Sequence, residues 1–325
     1  MLRRAYVDWR QVLPADCTDS IELDPERVVI GPSRPPSGRL ISWNVARRGR
    51  HVEGHIAALV ERTPDLVVLQ EVSGGMVEPL RHGLSRAGVG YVVENADLAA
   101  RAGRPNSLLI GSRWPLRPLP ASAAPYPERT LSVAIDSPWG RIDLHCAHIP
   151  TGVGHGWTKI ETLEAIYAHL ARPASHPRIL CGDFNTPQLE SPDGQVVTFA
   201  QRQGPDGRVR TQSFIRDRSG RCDAGARWDR AERAVLTGLA AFDLPDVYRA
   251  LHSYGVADYS WYWAPNTRPI GRRFDHIFAS PSLRPRTCIY LHELRTSGLS
   301  DHAAIEAVFF PVSLPDDTSR HGPVA

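Results

Sequence analysis

The sequence predicts an α/β fold in which two packed sheets are covered by helices. Three observations carry that expectation. Short apolar runs alternate along the chain with longer runs whose apolar residues recur at helical spacing. The strand-like runs come in two styles, continuously apolar and alternating, which points to more than one sheet environment. The 325 residues, 42% hydrophobic and 22% charged, are enough for one large domain with a buried core and do not have the composition of a disordered chain.

Taken in order, residues 1–38 contain Pro32-Ser33-Arg34-Pro35-Pro36 and no clear period, so they read as an N-terminal extension with a Pro-rich linker. Leu40–Val45 is a short buried strand, and Ile56, Leu59 and Val60 recur at helical spacing. Leu66–Leu69 is an apolar strand ending at Gln70-Glu71, and a helix follows over Met76–Leu84. Strands are expected at Tyr91–Val93, Ser107–Ile110, Leu131–Ile135 and Ile142–His148. Thr158–Leu170 is an amphipathic helix with Ile160, Leu163, Ile166, Tyr167 and Leu170 on its apolar face. Arg178–Cys181 runs as a strand into Gly182-Asp183-Phe184-Asn185. The polar stretch Pro187–Asp229 lacks periodicity and reads as a long excursion over the surface. Helices resume at Ala231–Leu239 and Leu244–Leu251. Strands at Tyr259–Trp263, Phe274–Ala279, Cys288–Leu291 and Ala304–Phe310 close the domain, and residues 313–325 read as a flexible tail.

Composition narrows the function classes. The net charge of +3 is too small to demand an anionic partner. Lys159 is the only lysine, so arginine supplies the other cationic side chains. That suits bidentate phosphate recognition and equally suits a bias of composition. Five cysteines, widely spaced and without C-x-x-C, indicate neither a disulfide framework nor a zinc site. Reduced thiols in a cytoplasmic protein are the simplest account. No apolar run approaches a membrane span, and the charged N-terminus lacks an apolar core behind it, so no membrane association is expected.

Polar residues stand repeatedly at the ends of the apolar strands. Asn44 ends the first, Glu71 the second, His148 a middle one, and Asp183 and Asn185 the next. Asp275 lies within a late strand, and Asp301-His302 opens the last. Strand ends on one edge of a sheet converge on one mouth, where α/β proteins place their sites. Each has a simpler reading alone: Gly-Asp-Phe-Asn suits a turn, Glu71 a surface position and Asp301 a helix cap. Together they supply carboxylates, amides and imidazoles, a hard-oxygen set that suits magnesium or manganese.

Ser42-Trp43-Asn44, Leu69-Gln70-Glu71-Val72, His148-Ile149-Pro150, Gly182-Asp183-Phe184-Asn185, Arg273-Phe274-Asp275-His276 and Leu299-Ser300-Asp301-His302 resemble, in order, the motifs of the endonuclease/exonuclease/phosphatase superfamily. The resemblance is closest to its exonuclease III-type nucleases. It implies a four-layer two-sheet sandwich with residues 39–312 as the catalytic domain, and a metal-dependent phosphodiester hydrolase.

The resemblance also implies roles. Glu71 would be the main metal carboxylate, with Asn44 beside it and Asp301 completing the environment. Asp183 would activate the attacking water, Asn185 would hold that water or the phosphate, and His302 would donate to a phosphate oxygen while Asp275 accepts from its other nitrogen. His148 falls where deoxyribonuclease I has a histidine, and Arg129 resembles a phosphate-contacting arginine. In exonuclease III-type enzymes aromatic residues near Tyr259-Ser260-Trp261-Tyr262-Trp263 line an abasic-sugar pocket, while Arg272 stands where such enzymes carry tryptophan. Trp261 and Arg272 are therefore expected to bind substrate, and Arg47, Arg48, Arg50, Arg268, Arg272 and Arg273 to form a rim for a nucleic-acid backbone. The expected activity is that of a DNA nuclease, a 3′ exonuclease or an abasic-site endonuclease. The alternatives are a phosphodiesterase or phosphatase for a small molecule or phospholipid, and a non-catalytic scaffold, which the full set of chemical groups disfavours.

Overall fold

In the computed structural model the described residues are 37–310, apart from 121–123, 214, 217–218, 221–223 and 265–268. The expected extension before residue 37, the tail, Arg268, Cys17 and Cys222 lie outside the described residues. In chain order the strands and helices are β1 (Gly38–Asn44), α1 (Val52–Arg62), β2 (Leu66–Ser73), α2 (Gly74–Arg86), β3 (Tyr91–Glu94), α3 (Ala96–Arg101), β4 (Asn106–Ser112) and β5 (Leu116–Pro118). There follow β6 (Thr130–Ser137), β7 (Gly140–His148), α4 (Gly152–His155), α5 (Trp157–Leu170) and β8 (Arg178–Asp183). After them come β9 (Leu189–Glu190), β10 (Val196–Val197), β11 (Gln201–Gln203), β12 (Val209–Thr211), α6 (Gly225–Leu236) and α7 (Val247–Leu251). The domain closes with β13 (Trp261–Trp263), β14 (Ile270–Arg272), β15 (Asp275–Ala279), β16 (Pro285–Leu291), α8 (His292–Thr296) and β17 (Ala304–Phe309).

Two large sheets form, six strands in the order β16-β17-β1-β2-β4-β3 and five in the order β15-β8-β7-β6-β5. Strand periodicity explains the layering, because successive side chains leave opposite faces. Leu40, Val68, Ile110 and Ile305 of the first sheet meet Val133, Leu144, Ile179 and Ile277 of the second in a central core. The residues one step along, Ile41, Val67, Leu69 and Leu109, face away and pack with Leu59, Met76, Leu80 and Leu84 of α1 and α2. Leu180 and Phe278 likewise pack on Ile160, Leu163, Ile166 and Val235 of α5 and α6. Helix, sheet, sheet, helix is the expected four-layer sandwich. Strands buried on both faces read as continuous apolar runs, which is why they were legible. Each fully buried Leu or Ile contributes about 1.5–3 kcal/mol.

The excursion Pro187–Asp229 is more ordered than its composition suggests. It contains the β9–β10 and β11–β12 hairpins, and α6 begins at Gly225, earlier than expected. Strands two or three residues long show no period, and the segment is tied down by polar contacts. Glu190 binds Arg273 (2.7 Å) and Arg249 (2.7 Å). Arg273, expected at a nucleic-acid rim, is therefore buried and committed to Glu190 and Asp246. Cys146, Cys181 and Cys288 are free and buried, and burial pushes the Cys146 thiol up to about 12. Among the described residues no helix is long and apolar enough to cross a membrane.

Candidate active site

Strand direction gathers the site. β1 runs parallel to β2, and β7 runs parallel to β8, so Asn44, Glu71, His148 and Asp183 come to one edge. β15 is antiparallel to β8 with Asp275 opposite Asp183, so its first residue reaches the same place. β17 is antiparallel to β1, and the chain entering it passes beyond Asn44. Ser300 Oγ donates to Asn44 O (2.6 Å) and Trp43 Nε1 donates to His302 O (3.2 Å), fixing that passage.

Asp183 is the hub. Its Oδ2 accepts from Asn44 Nδ2 (2.9 Å) and Asn185 Nδ2 (3.2 Å), and its Oδ1 from the Asn185 amide (2.9 Å). His302 Nδ1 contacts Asp275 Oδ2 at 2.8 Å, and its Nε2 stands 3.9 Å from Asp183 Oδ2. Burial opposes the charged imidazole, but the Asp275 and Asp183 carboxylates outweigh it and push His302 up to about 10. Burial, with the Asp275 charge nearby, raises the Asp183 carboxyl well above the usual range, against the pull of His302. Asp183, Asp275 and His302 offer ligand atoms within 4.8 Å of one another. Buried Asp275 Oδ1 has no hydrogen-bond partner among the described residues. Beside them the half-buried Glu71 carboxylate, 3.4 Å from Asn44 Nδ2, adds hard oxygen donors of the kind that fit a divalent cation such as magnesium or manganese.

Glu71 sits at a break in the β2–β4 register between Leu69 and Val72, with φ at +58°. A non-glycine residue in the left-handed region is strained, and strain of this kind gathers at functional sites. The bend turns its carboxylate to Asn44 Nδ2 (3.4 Å), Arg47 Nε (3.1 Å) and His148 Nε2 (3.5 Å). His148 Nδ1 faces Arg104 Nη2 at 3.3 Å. A guanidinium can only donate, so Nδ1 accepts and the proton of neutral His148 is on Nε2, toward Glu71. Burial and the Arg104, Arg129 and His302 charges hold His148 well below its ordinary value, so neutral is its resting form. Arg129 is buried beside Glu128 (3.8 Å), and burial with the Arg104 charge brings it down to about 10.

Next to this cluster lies a cavity of about 610 Å³, which Asn185 also lines. Its walls are Phe199, Trp228, Trp261, Trp263, Phe274 and Ile215, with Thr151, Gln188, Gln212 and Arg272 as polar elements. Trp261 stacks on Phe274 (5.3 Å between centroids) and reaches within 6.5 Å of the His302 ring. Behind the cavity, Lys159 is buried against Glu232 (2.6 Å), donates to Asn185 O (2.9 Å) and lies over the Phe199 ring (4.5 Å).

A model of the Endonuclease/Exonuclease/phosphatase family matches residues 41–302. The chain belongs to that family. Solved structures agree on the fold. An AP endonuclease from Archaeoglobus fulgidus aligns with a TM-score of 0.59 at 22% identity, over 84% of this chain and 99% of that one. A humanized TDP2 from D. rerio gives 0.57 at 20% identity, over 84% and 99%. A 3′ phosphatase, NExo from Neisseria, bound to a product DNA hairpin gives 0.56 at 20% identity, with 84% and 99% covered. No curated protein sequence matches.

As a member of the family, the chain gathers Asn44, Glu71, His148, Asp183, Asn185, Asp275 and His302 within one contact network. Asp301 stands apart: it is exposed, and its carboxylate accepts from Trp261 Nε1 (3.3 Å). Arg129 acts on His148 through its charge, and Arg272 lies on the cavity wall. Sequence reasoning missed Arg104, which lies in a polar turn outside any motif, and Ser260, whose hydroxyl accepts from the Asp275 amide (3.2 Å). Arg104 belongs to no motif, and Ser260 sits in a stretch read as a strand for its aromatic neighbours, so neither carried a signal of its own.

Proposed function

We propose that the chain is a DNA-directed phosphodiester hydrolase, a 3′ exonuclease or abasic-site endonuclease, dependent on magnesium or manganese and cytoplasmic. The convergence of Asp183, Asp275 and His302, with Asn44, Glu71 and His148 around them, carries this reading. Relatives of the same fold described as acting on or bound to DNA support the substrate class.

Glu71 and Asn44 would hold the cation, with Asp301 the third group expected there. When bound, the cation offsets phosphate charge and stabilises the leaving oxygen as a Lewis acid. Asp183 takes the proton of the attacking water, and its raised carboxyl suits a base working near neutral pH. Asn185, braced by Ile149 O (2.9 Å), orients that water or the phosphate. His302, held charged by Asp275, donates Nε2–H to a non-bridging oxygen, where negative charge grows. His148 presents Nε2–H toward Glu71 (3.5 Å), and Arg129 adds positive potential there.

A turnover panel tests the proposal: duplex, single-stranded and abasic-site DNA, RNA, and bis-p-nitrophenyl phosphate, each with magnesium or manganese. At least one DNA substrate is cleaved and EDTA abolishes the activity. A purified chain that cleaves no phosphodiester with either metal overturns it.

A further inference from the structure

We infer that the aromatic cavity beside Asn185 is a subsite for an unpaired nucleobase, and that the substrate is a single strand or a frayed end more than an intact duplex. This rests on the proposed phosphodiesterase reading and deepens it.

Four observations converge. The cavity, about 610 Å³, exceeds what a bare sugar would fill and lies in the range of pockets that enclose a drug-sized ligand. Five aromatic side chains line it, Phe199, Trp228, Trp261, Trp263 and Phe274. Flat bases stack on such platforms with little regard to sequence. The cavity is continuous with the reaction site: Asn185, bonded to Asp183 Oδ2 (3.2 Å), also lines it, and Trp261 lies 6.5 Å from the His302 ring. A group bound there belongs to a nucleotide flanking the cleaved bond.

Charge completes the match. Arg272 on the wall is half-buried and has no carboxylate partner among the described residues, and burial lowers its affinity for a proton. An unpaired guanidinium in apolar surroundings favours an anion or the face of a base, and a nucleotide brings both. Gln188 and Gln212 add amides able to meet a base edge. Gly152 lets the chain pack closely on the Trp228 ring, which a Cβ there would approach to 2.7 Å. A base inside a duplex cannot enter such a cavity without leaving the stack, which costs binding for paired DNA alone.

The experiment compares three oligonucleotides of one sequence with magnesium: single-stranded, fully paired, and single-stranded with tetrahydrofuran spacers in place of the nucleotides around the cleaved bond. We expect kcat/KM to be about tenfold or more higher for the base-bearing single strand than for either other form. Trp263→Ala should lower it about fivefold or more and lower spacer cleavage less, whereas Arg272→Gln should lower both, since the spacer strand keeps its phosphates. In parallel, 2-aminopurine in the single strand should lose fluorescence on binding Asp183→Asn protein, and less so with Trp263→Ala added. Equal or faster cleavage of the spacer strand, or unchanged 2-aminopurine emission, overturns the subsite while leaving the hydrolase intact. No cleavage of any strand overturns the hydrolase reading itself.

Discussion

A carboxylate buried beside a second carboxylate is costly unless something needs it there. Asp183 is such a group, 1% exposed and opposite Asp275. Its amide substitute keeps the shape and removes the charge. Asp183→Asn should therefore lower kcat by on the order of 10²–10³, yet leave the melting temperature unchanged or raised. Steady-state kinetics and calorimetry read the two effects, and a large drop in melting temperature would mean the residue is structural. Arg104 acts at the same scale through another residue. Since only its donors face His148 Nδ1, Arg104→Met should leave the imidazole free to exchange tautomers. Nitrogen chemical shifts of His148 should show a single Nε2–H form in the parent and a mixture in the variant. These couplings were not legible in the sequence, because a hydrogen bond across 44 positions leaves no local pattern.

At the level of elements, β8 carries the site because its backbone runs close to β7. Gly182 has φ at +139°, and a Cβ there would stand 2.0 Å from Ala147 O. Gly182→Ala should therefore destabilise the protein by about 2 kcal/mol or more and abolish turnover, read by urea unfolding and by assay. The glycine was visible in Gly-Asp-Phe-Asn, but its reason, a parallel neighbour, was not. The Glu190 contacts join the β9–β10 hairpin to α7 and to the chain entering β15. Burial disfavours the Glu190 charge, but Arg273 and Arg249 overcome that and bring its carboxyl down from 4.5 to about 2. Lowered on folding, it stabilises the fold above its unfolded value and loses that contribution as pH falls toward 2. The stability gap between the parent and Glu190→Gln should be full at pH 6 and should shrink between about pH 4.5 and 2. A gap independent of pH would show that packing, not charge, holds the hairpin. This tie explains why a stretch read as a surface excursion is ordered.

For the whole molecule, apolar runs identified ten of the eleven strands in the two large sheets, most plainly the inner ones, whose burial on both faces writes itself into sequence. Only β5, three residues with a proline, escaped. The ordered strand tips made the reacting groups legible as well. The cavity was not, because its walls come from α4, the excursion, α6 and the β13–β14 hairpin, brought together only by folding. The gathered carboxylates also bear on stability. A cation held by Glu71 and Asn44, the latter 2.9 Å from Asp183, would relieve their repulsion, so magnesium or manganese should raise the melting temperature and EDTA should reverse it. Scanning calorimetry without substrate checks this, and an unchanged midpoint at millimolar metal would count against a cation site. Last, the chain's one lysine ammonium is enclosed by Glu232 and the Asn185 carbonyl. Acylating reagents aimed at side-chain amines therefore find no target on the native surface. Modification of Lys159, followed by peptide mass spectrometry, becomes a clock for global opening, and its rate should rise with urea as the fold is lost.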